Sequence, residues 1–245
     1  ELVLKKVLIL DTMKRRGNIM KIFQIGFNKC GTASLQHFFK DNGLKSLHWR
    51  WGDEGAYKYA ALEMKRNYEN KRPLLEGMEE FDFYSDMESH LDGFDNEQDD
   101  YFPCVHAYMD YFKELDKQYP NSKFILNHRN VIKWIKSRQS HVFGSGRTYL
   151  SSYMHHMKMT EEEVLTLWES QWYTHINNVL EYFKDRPNDL LVFNIEEDDA
   201  TKIKDFFSED LDLDVSHWKQ HHKTQSFTPI PPTILNTLFN TMEQR

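Results

Sequence analysis

Short runs of apolar and β-branched residues alternate with longer amphipathic segments along the chain. The short runs predict strands at residues 21–26, 123–128 and 190–195, and a weaker one at 81–85. The amphipathic segments predict helices at residues 32–41, 56–70, 104–118, 132–140, 161–184 and 200–207. This alternation favours an α/β protein, with a central parallel sheet between two helical layers. Ligands of such sheets bind at the carboxyl ends of the strands, so the chemistry is expected there.

The string GFNKCGTASL follows the first predicted strand and opens the first helix. Gly26 and Gly31 allow the backbone to curl so that successive amides point at one anion, and the helix adds its positive N-terminal end. The pattern differs from a Walker loop, because Thr32 replaces the lysine and Ala33 replaces the magnesium-binding hydroxyl. An ordinary Mg·ATP site is therefore disfavoured, and the cation of the loop is Lys29.

An arginine and a serine follow the strand at residues 123–128, although their spacing alone means little because an arginine at a helix start is usually a solvated charge. Arg129 leaves the carboxyl end of that strand, and Ser137 follows eight residues later in the next helix. A guanidinium fork and a hydroxyl can together hold one phosphate. Two phosphate sites on one edge of the sheet suit a nucleotide that carries phosphates at both ends of its ribose.

Both strings resemble the PAPS-dependent sulfotransferases, which use 3′-phosphoadenosine 5′-phosphosulfate (PAPS). GFNKCGTASL resembles their 5′-phosphosulfate loop, G-x-x-K/R-x-G-T-x-S-L, and KFILNHRNVIKWIKSRQS resembles their 3′-phosphate element. The resemblance covers roughly residues 20 to 228 and points to a bacterial-type branch. It implies a P-loop NTPase-like sulfotransferase fold, with PAPS as donor and adenosine 3′,5′-bisphosphate as product.

The resemblance also assigns roles to particular residues. Lys29 would neutralise charge on the bridging oxygen, Arg129 and Ser137 would hold the 3′-phosphate, and Lys223 in the string WKQHHKTQS would close over the nucleotide. The loop amides, with the hydroxyls of residues 32 and 34, would hold the 5′-phosphate. The loop residues so assigned are Asn28, Lys29, Cys30, Gly31, Thr32, Ala33 and Ser34.

A general base is expected in the string FDFYSDMESH. Asp86 comes first at the carboxyl end of the predicted strand, and it matches an acidic residue in a bacterial branch of the family with a similar FDxxSDME string. Glu88 is the second candidate, and His90 or another group remains open. The chain departs from the commonest family members in lacking a clear catalytic histidine before the third strand, which leaves the base undecided.

Two aromatic groups and one loop have alternative interpretations. LHWRW, at residues 47–51, lines the acceptor pocket or packs in the core. Trp168, Trp172 and His175 have helical spacing and are interpreted first as a buried helix face, and second as a substrate wall. Residues 141–152 are rich in Gly and Ser and form either a lid or a plain surface connection.

Composition narrows the classes of function. The net charge of −7 argues against broad nucleic-acid binding, so any anion must be held by a local site. The two cysteines, Cys30 and Cys104, predict no disulfide framework and favour a reducing, cytoplasmic compartment. No apolar run is long enough to span a membrane. Residues 1–19 are interpreted as an extension, and residues 20–245 as a single sulfotransferase domain.

These observations predict an enzyme that transfers a sulfuryl group from PAPS to a hydroxyl or amine by in-line displacement, without a metal. The acceptor is left open among small molecules, sugars and lipid-linked hydroxyls. A P-loop-type nucleotide or small-molecule kinase is one alternative. A non-catalytic module that binds adenosine 3′,5′-bisphosphate is the other.

Overall fold

The computed structural model describes residues 20–54, 56–89, 104–143 and 146–219. The strands are β1 (Ile22–Gln24), β2 (Ser46–His48), β3 (Arg50–Trp51), β4 (Lys58–Tyr59), β5 (Phe83–Ser85), β6 (Glu88–Ser89), β7 (Val105–His106), β8 (Lys123–His128) and β9 (Leu190–Asn194). The helices are α1 (Thr32–Asp41), α2 (Ala60–Glu69), α3 (Ala107–Asp110), α4 (Phe112–Gln118), α5 (Val131–Ser140), α6 (Tyr149–Met157), α7 (Glu161–Phe183) and α8 (Ala200–Phe206). A 3₁₀ turn covers Val215–His217.

A seven-stranded sheet with the order β4-β3-β2-β5-β1-β8-β9 runs through the described residues. Its five central strands, from β2 to β9 in that order, are parallel, and β3 and β4 extend one edge in antiparallel pairing. β6 and β7 form a separate antiparallel ribbon. The parallel sheet confirms the predicted α/β class and brings the carboxyl ends of β2, β5, β1 and β8 to one edge.

Alternate residues of the central strands enter two separate cores, which makes three layers. Phe23, Tyr84 and Phe124 pack on one face with the large rings of α5 and α7, while Ile22 and Phe83 pack on the other face with α1 and α8. Because these strands are buried on both faces, their sequences are short runs of apolar residues without polar alternation.

Trp168, Trp172 and His175 are buried on one face of α7, as the first interpretation predicted. Phe27 stacks on Trp172 with ring centroids 4.6 Å apart, so this face supports the loop after β1. The rings of this helix therefore belong to the core beneath the predicted site.

Two predicted helices were too long. The helix expected at residues 56–70 begins at Ala60, because Lys58–Tyr59 pairs with β3 at the sheet edge. The helix expected at 104–118 is interrupted, because Val105–His106 pairs with β6. Pairing with a distant strand overrode the local helical pattern in both cases.

Part of the segment predicted as a lid or connection is a helix. Tyr149–Met157 forms α6, which starts with a capping box between Thr148 and Ser151. None of the helices in the described ranges has the length and apolar character needed to cross a bilayer. In the same ranges no group of three or more His, Cys, Asp or Glu side chains is arranged to hold a metal ion.

Candidate anion-binding and catalytic site

Side chains donate hydrogen bonds to the backbone carbonyl groups of the loop between β1 and α1. A peptide carbonyl and the following amide point in opposite directions, so bonded carbonyls on one side turn the amides of residues 27–31 toward the other side. The donors are Gln24 to the carbonyl of residue 26 (2.7 Å), Asn127 to residues 27 (3.2 Å) and 30 (2.7 Å), Trp134 to residue 28 (3.0 Å), and Arg129 to residue 29 (3.2 Å).

Backbone conformation completes this cradle. Lys29 and Gly31 have positive φ values of 57° and 80°, which curl the chain immediately before α1. Gly31 is the N-cap of α1 and, as a glycine, makes no side-chain cap hydrogen bond. A Cβ at Gly26 would lie 2.0 Å from the carbonyl oxygen of Asn127, so only glycine fits there. The loop therefore presents uncapped helix amides to an anion.

Several loop residues contribute their backbone rather than their side chains. The Asn28 side chain accepts from Arg138 Nη1 at 3.0 Å and donates to Tyr149 Oη at 2.7 Å, which anchors the loop to α5 and α6. Cys30 is fully buried, and this burial raises the pKa of its thiol. Ala33 offers only its amide.

The hydroxyl-bearing residues Thr32 and Ser34 lie in the first turn of α1, as the sequence placed them. Both residues are buried. Because they lie next to the amides at the start of α1, their hydroxyl groups could add contacts to a phosphate bound there.

Lys29 projects from the loop into a cluster of titratable groups. Its Nζ lies within hydrogen-bonding distance of Nδ1 of His141, at 3.1 Å. Burial lowers the pKa of Lys29, while the Asp86 carboxylate opposes this shift and Arg138 adds to it. Lys29, His141 and Asp86 therefore converge, although they lie far apart along the chain.

Asp86 lies directly after β5 in an unusual conformation. Its φ is 52°, and its amide donates to Gln24 Oε1 at 2.8 Å. Oδ2 lies 3.6 Å from Nε2 of His48, while the buried Oδ1 has no hydrogen-bond partner in the described part of the chain. A non-glycine residue held at positive φ is a form of backbone strain found at functional sites.

His48 is oriented toward Asp86 by Ser85. The Ser85 hydroxyl donates to the Leu47 carbonyl at 3.2 Å and lies 3.0 Å from Nδ1 of His48. This contact orients the imidazole ring so that Nε2 faces Asp86. The histidine from LHWRW is thus placed beside the candidate base.

Glu88 has a different environment from Asp86. Its side chain is fully buried, and it accepts from Arg138 Nη2 at 3.1 Å. Tyr108 donates to it at 3.4 Å, and His106 Nε2 lies 3.6 Å away. Because Arg138 also binds Asn28, the Glu88 carboxylate is connected to the phosphate loop through one buried guanidinium. This arrangement suits positioning rather than proton transfer.

The charge on His106 is part of the same buried cluster. Burial lowers the pKa of His106, but the Cys104 sulfur and the Glu88 carboxylate outweigh it and raise that pKa to about 9. A protonated His106 therefore adds a second positive charge beside Glu88.

Arg129 lies against the phosphate loop. Its Nη1 donates to the Lys29 carbonyl at 3.2 Å, and its Nη2 lies 3.3 Å from Glu196 Oε1. Lys133 Nζ binds the same oxygen at 2.9 Å, and the Asn130 amide donates to Oε2 at 2.8 Å. The start of α5 therefore already accommodates one oxyanion, the Glu196 carboxylate.

The bonding at Glu196 also sets its charge. Burial alone would raise its pKa, but the hydrogen bonds from the Asn130 amide and Lys133 dominate and lower it. Lys133 and Glu196 were missed in the sequence. Lys133 could have been recognised, because it lies one helical turn after Arg129. Glu196 could not, because it follows β9, far away along the chain.

Three further residues were predicted from the sequence: Ser137, His90 and Lys223. Ser137 is buried on α5, and no hydrogen bond joins it to Arg129, although its carbonyl accepts from Ser140 at 3.3 Å. His90 and Lys223 lie outside the described residues. Their roles stay predictions.

Two of the residues that bind the loop carbonyls were missed in the sequence, although each is a polar residue at or near the end of an apolar strand. Gln24 ends β1 and Asn127 lies near the end of β8, and both are buried. Gln24 Nε2 donates to Asn127 Oδ1 at 2.5 Å, so these amides tie the two strands together beneath the loop. Burying a side-chain amide at a strand end costs free energy unless it is fully hydrogen-bonded. Such a residue therefore indicates that its side chain has hydrogen-bonding partners in the folded protein.

Comparison with known protein families supports this site from another direction. A family model described as a sulfotransferase domain matches residues 21–206, which run from β1 to the end of α8. The matched region includes the phosphate loop, Asp86, Arg129 and Glu196. No curated protein matches the chain.

Proposed function

The chain belongs to the sulfotransferase domain family, and from that premise we propose that it transfers a sulfuryl group from PAPS to a hydroxyl or amine by in-line displacement. The observation that carries this proposal is the 3.2 Å contact between Arg129 and the carbonyl of Lys29. It supports the proposal because the guanidinium of Arg129 lies beside the amide cradle, at the same edge of the sheet. PAPS has phosphates at two positions of one ribose and fits two such sites.

The donor is held mainly by charge and by backbone amides. The cradle from residue 27 into α1 binds the 5′-phosphosulfate, with the hydroxyls of Thr32 and Ser34 as additional donors. Arg129 and Lys133 bind the 3′-phosphate at the start of α5. Ser137 and Lys223 are the further contacts that the family resemblance suggests. Ala33 lacks the hydroxyl that would bind magnesium in a Walker loop, which favours a sulfuryl donor over Mg·ATP.

The chain's own residues would handle the proton and the developing charge. Asp86 takes the proton from the acceptor as the new bond to sulfur forms. The bond between sulfur and the bridging oxygen breaks, and Lys29 neutralises the negative charge left on the 5′-phosphate. Glu88 acts indirectly: it binds Arg138 and so keeps the guanidinium in contact with Asn28.

A transfer assay tests the proposal. The protein is incubated with PAPS that carries radioactive sulfur and with a panel of phenols, alcohols, amines and sugars. The expected result is labelled product together with an equal amount of adenosine 3′,5′-bisphosphate, without added magnesium. Magnesium-dependent ATP turnover in its place would favour a kinase. Binding of the bisphosphate with no transfer to any acceptor would favour a non-catalytic module.

A further inference from the structure

A guanidinium lies over two aromatic rings at the turn that joins β2 and β3. Arg50 Cζ is 3.8 Å from the ring centroid of Tyr57 and 4.7 Å from that of Trp49. The Trp49 ring in turn lies 5.4 Å from the Tyr59 ring. We call Trp49, Arg50, Tyr57 and Tyr59 the Arg50 cluster. Rings that cover the flat faces of a guanidinium leave its N–H groups directed outward in the plane, where they can bind an oxyanion.

Arg50 has no acidic partner within the ranges that the structure describes. Other arginines near the surface do have one: Arg66 pairs with Glu63, and Arg186 pairs with Asp116. The absence is notable because the chain carries 38 acidic and 31 basic residues, so acidic side chains are abundant. A cation that is fixed by rings but not neutralised retains its full attraction for an anionic ligand.

The Arg50 cluster lies next to the candidate base. Arg50 is paired with His48 across β2 and β3, and directly paired residues share one face of a sheet. His48 Nε2 lies 3.6 Å from Asp86 Oδ2, and the Trp49 amide donates to the Ser85 carbonyl at 3.0 Å. An acceptor with its hydroxyl at Asp86 would therefore reach the Arg50 cluster with its other end.

We propose that the acceptor of this protein carries a carboxylate or a similar oxyanion, and that Arg50 binds it. This inference rests on the proposed sulfuryl transfer, because it assigns the acceptor side of the same site. The rings of Trp49 and Tyr57 fix the guanidinium and supply apolar contact for the body of the acceptor. A single local carboxylate is compatible with the net charge of −7, because only one site must attract it.

Binding of two matched phenols tests the inference. The protein is first saturated with adenosine 3′,5′-bisphosphate and then titrated by calorimetry with 4-hydroxyphenylacetate or with 4-hydroxyphenylacetamide. The two ligands share the hydroxyl and the ring and differ in charge. A charge-assisted hydrogen bond to Arg50 should make the acid bind about 10- to 100-fold more tightly than the amide.

Three variants connect that preference to Arg50. Arg50→Gln should reduce the preference for the acid to about threefold or less, while Arg50→Lys should keep part of it. Lys58→Gln is the matched control, because Lys58 is on the neighbouring strand and lies over Trp51, 6.0 Å from its ring centroid. It removes one positive charge from the opposite face of the same hairpin and should leave the preference unchanged.

The outcomes separate this inference from the proposed function. If the bisphosphate binds but the wild-type protein shows no preference for the acid, the inference is wrong and sulfuryl transfer stands. The same holds if Arg50→Gln retains the full preference, or if neither phenol binds. If the bisphosphate itself does not bind, the proposed function fails, and the inference fails with it. Unchanged bisphosphate affinity in Arg50→Gln shows that the variant is folded.

Discussion

Asp86 and Glu88 are two residues apart in the sequence, yet their environments differ and favour different roles. Asp86 has positive φ and a buried Oδ1 without a partner among the described residues, whereas Glu88 is neutralised by Arg138. An unpartnered carboxylate oxygen can accept a proton, whereas one that is committed to a buried guanidinium is costly to protonate or remove. The sequence alone could only rank the two by their position at the strand end.

Replacement of the candidate base should affect turnover and spare donor binding. Asp86→Asn keeps the shape of the side chain but removes its ability to accept a proton, so we expect kcat to fall by about 10²- to 10⁴-fold. The affinity for adenosine 3′,5′-bisphosphate, measured by calorimetry, should change little. A variant that keeps full kcat would place the base on another residue.

The Glu196 carboxylate lies at the cationic site at the start of α5. Its carboxylate contacts Arg129, Lys133 and the Asn130 amide, which are the groups that a 3′-phosphate would use. Glu196→Gln removes the competing charge and should tighten binding of adenosine 3′,5′-bisphosphate by about tenfold. Binding of 5′-AMP, which lacks the 3′-phosphate, should stay the same.

Glu197→Gln provides the matched control for this change, since it removes the same charge from the next residue, which is exposed. Calorimetric titrations of both variants with both nucleotides complete the comparison. Weaker binding of the bisphosphate to Glu196→Gln would mean that Glu196 positions Arg129 rather than competing with the phosphate.

At the scale of elements, α7 supports the site from below. His175 on this helix donates from Nε2 to the Ile25 carbonyl at 2.6 Å, directly before the phosphate loop. Burial lowers the pKa of His175 from 6.5 to about 4, although the hydrogen bond to Ile25 opposes the shift. The folded protein therefore holds this histidine neutral in a pH range where the unfolded chain takes up a proton.

The direction of the pH dependence follows from that difference. Between pH 6.5 and about pH 4 the unfolded state binds one more proton at His175, so the free energy of unfolding falls as the pH falls. The contribution lost across this range is roughly 3 kcal/mol. Urea unfolding at several pH values should show a steeper decline for wild type than for His175→Gln. Parallel curves for the two proteins would contradict this account.

The elements differed in how far the sequence could predict them. The helix at residues 32–41 was predicted with the bounds of α1, and the strand at 123–128 with those of β8, because both have strong local patterns. The edge strands β3 and β4 and the ribbon of β6 and β7 each have only two residues. Such short strands exist only through their partners, so a local pattern could not identify them.

The same distinction applies to the site. The phosphate loop and Arg129 could be found because each lies at a strand end with a distinctive local string. Arg138 could not be found, because its partners Asn28 and Glu88 lie 110 and 50 residues away along the chain. A buried ion pair between distant segments leaves no local pattern, and only the folded arrangement shows that Arg138 supports the loop.

At the scale of the whole molecule, the sheet brings the two proposed anion sites together on an acidic protein. With a net charge of −7, the overall field opposes binding of a polyanionic nucleotide, so affinity must come from the cradle and from the cations at the start of α5. These groups converge because β1 and β8 are neighbours in a parallel sheet, with Phe23 paired to Phe124. Strand order thus determines which phosphates of a nucleotide can be held together.

A calorimetric comparison of adenosine 3′,5′-bisphosphate with ADP tests the central claim most directly. Both nucleotides carry two phosphates on adenosine, but only the first places them at opposite sides of the ribose. The account predicts that the bisphosphate binds about 10- to 100-fold more tightly than ADP, and that Arg129→Ala abolishes this preference. Equal affinity for the two nucleotides, or a preference that survives in Arg129→Ala, would contradict it.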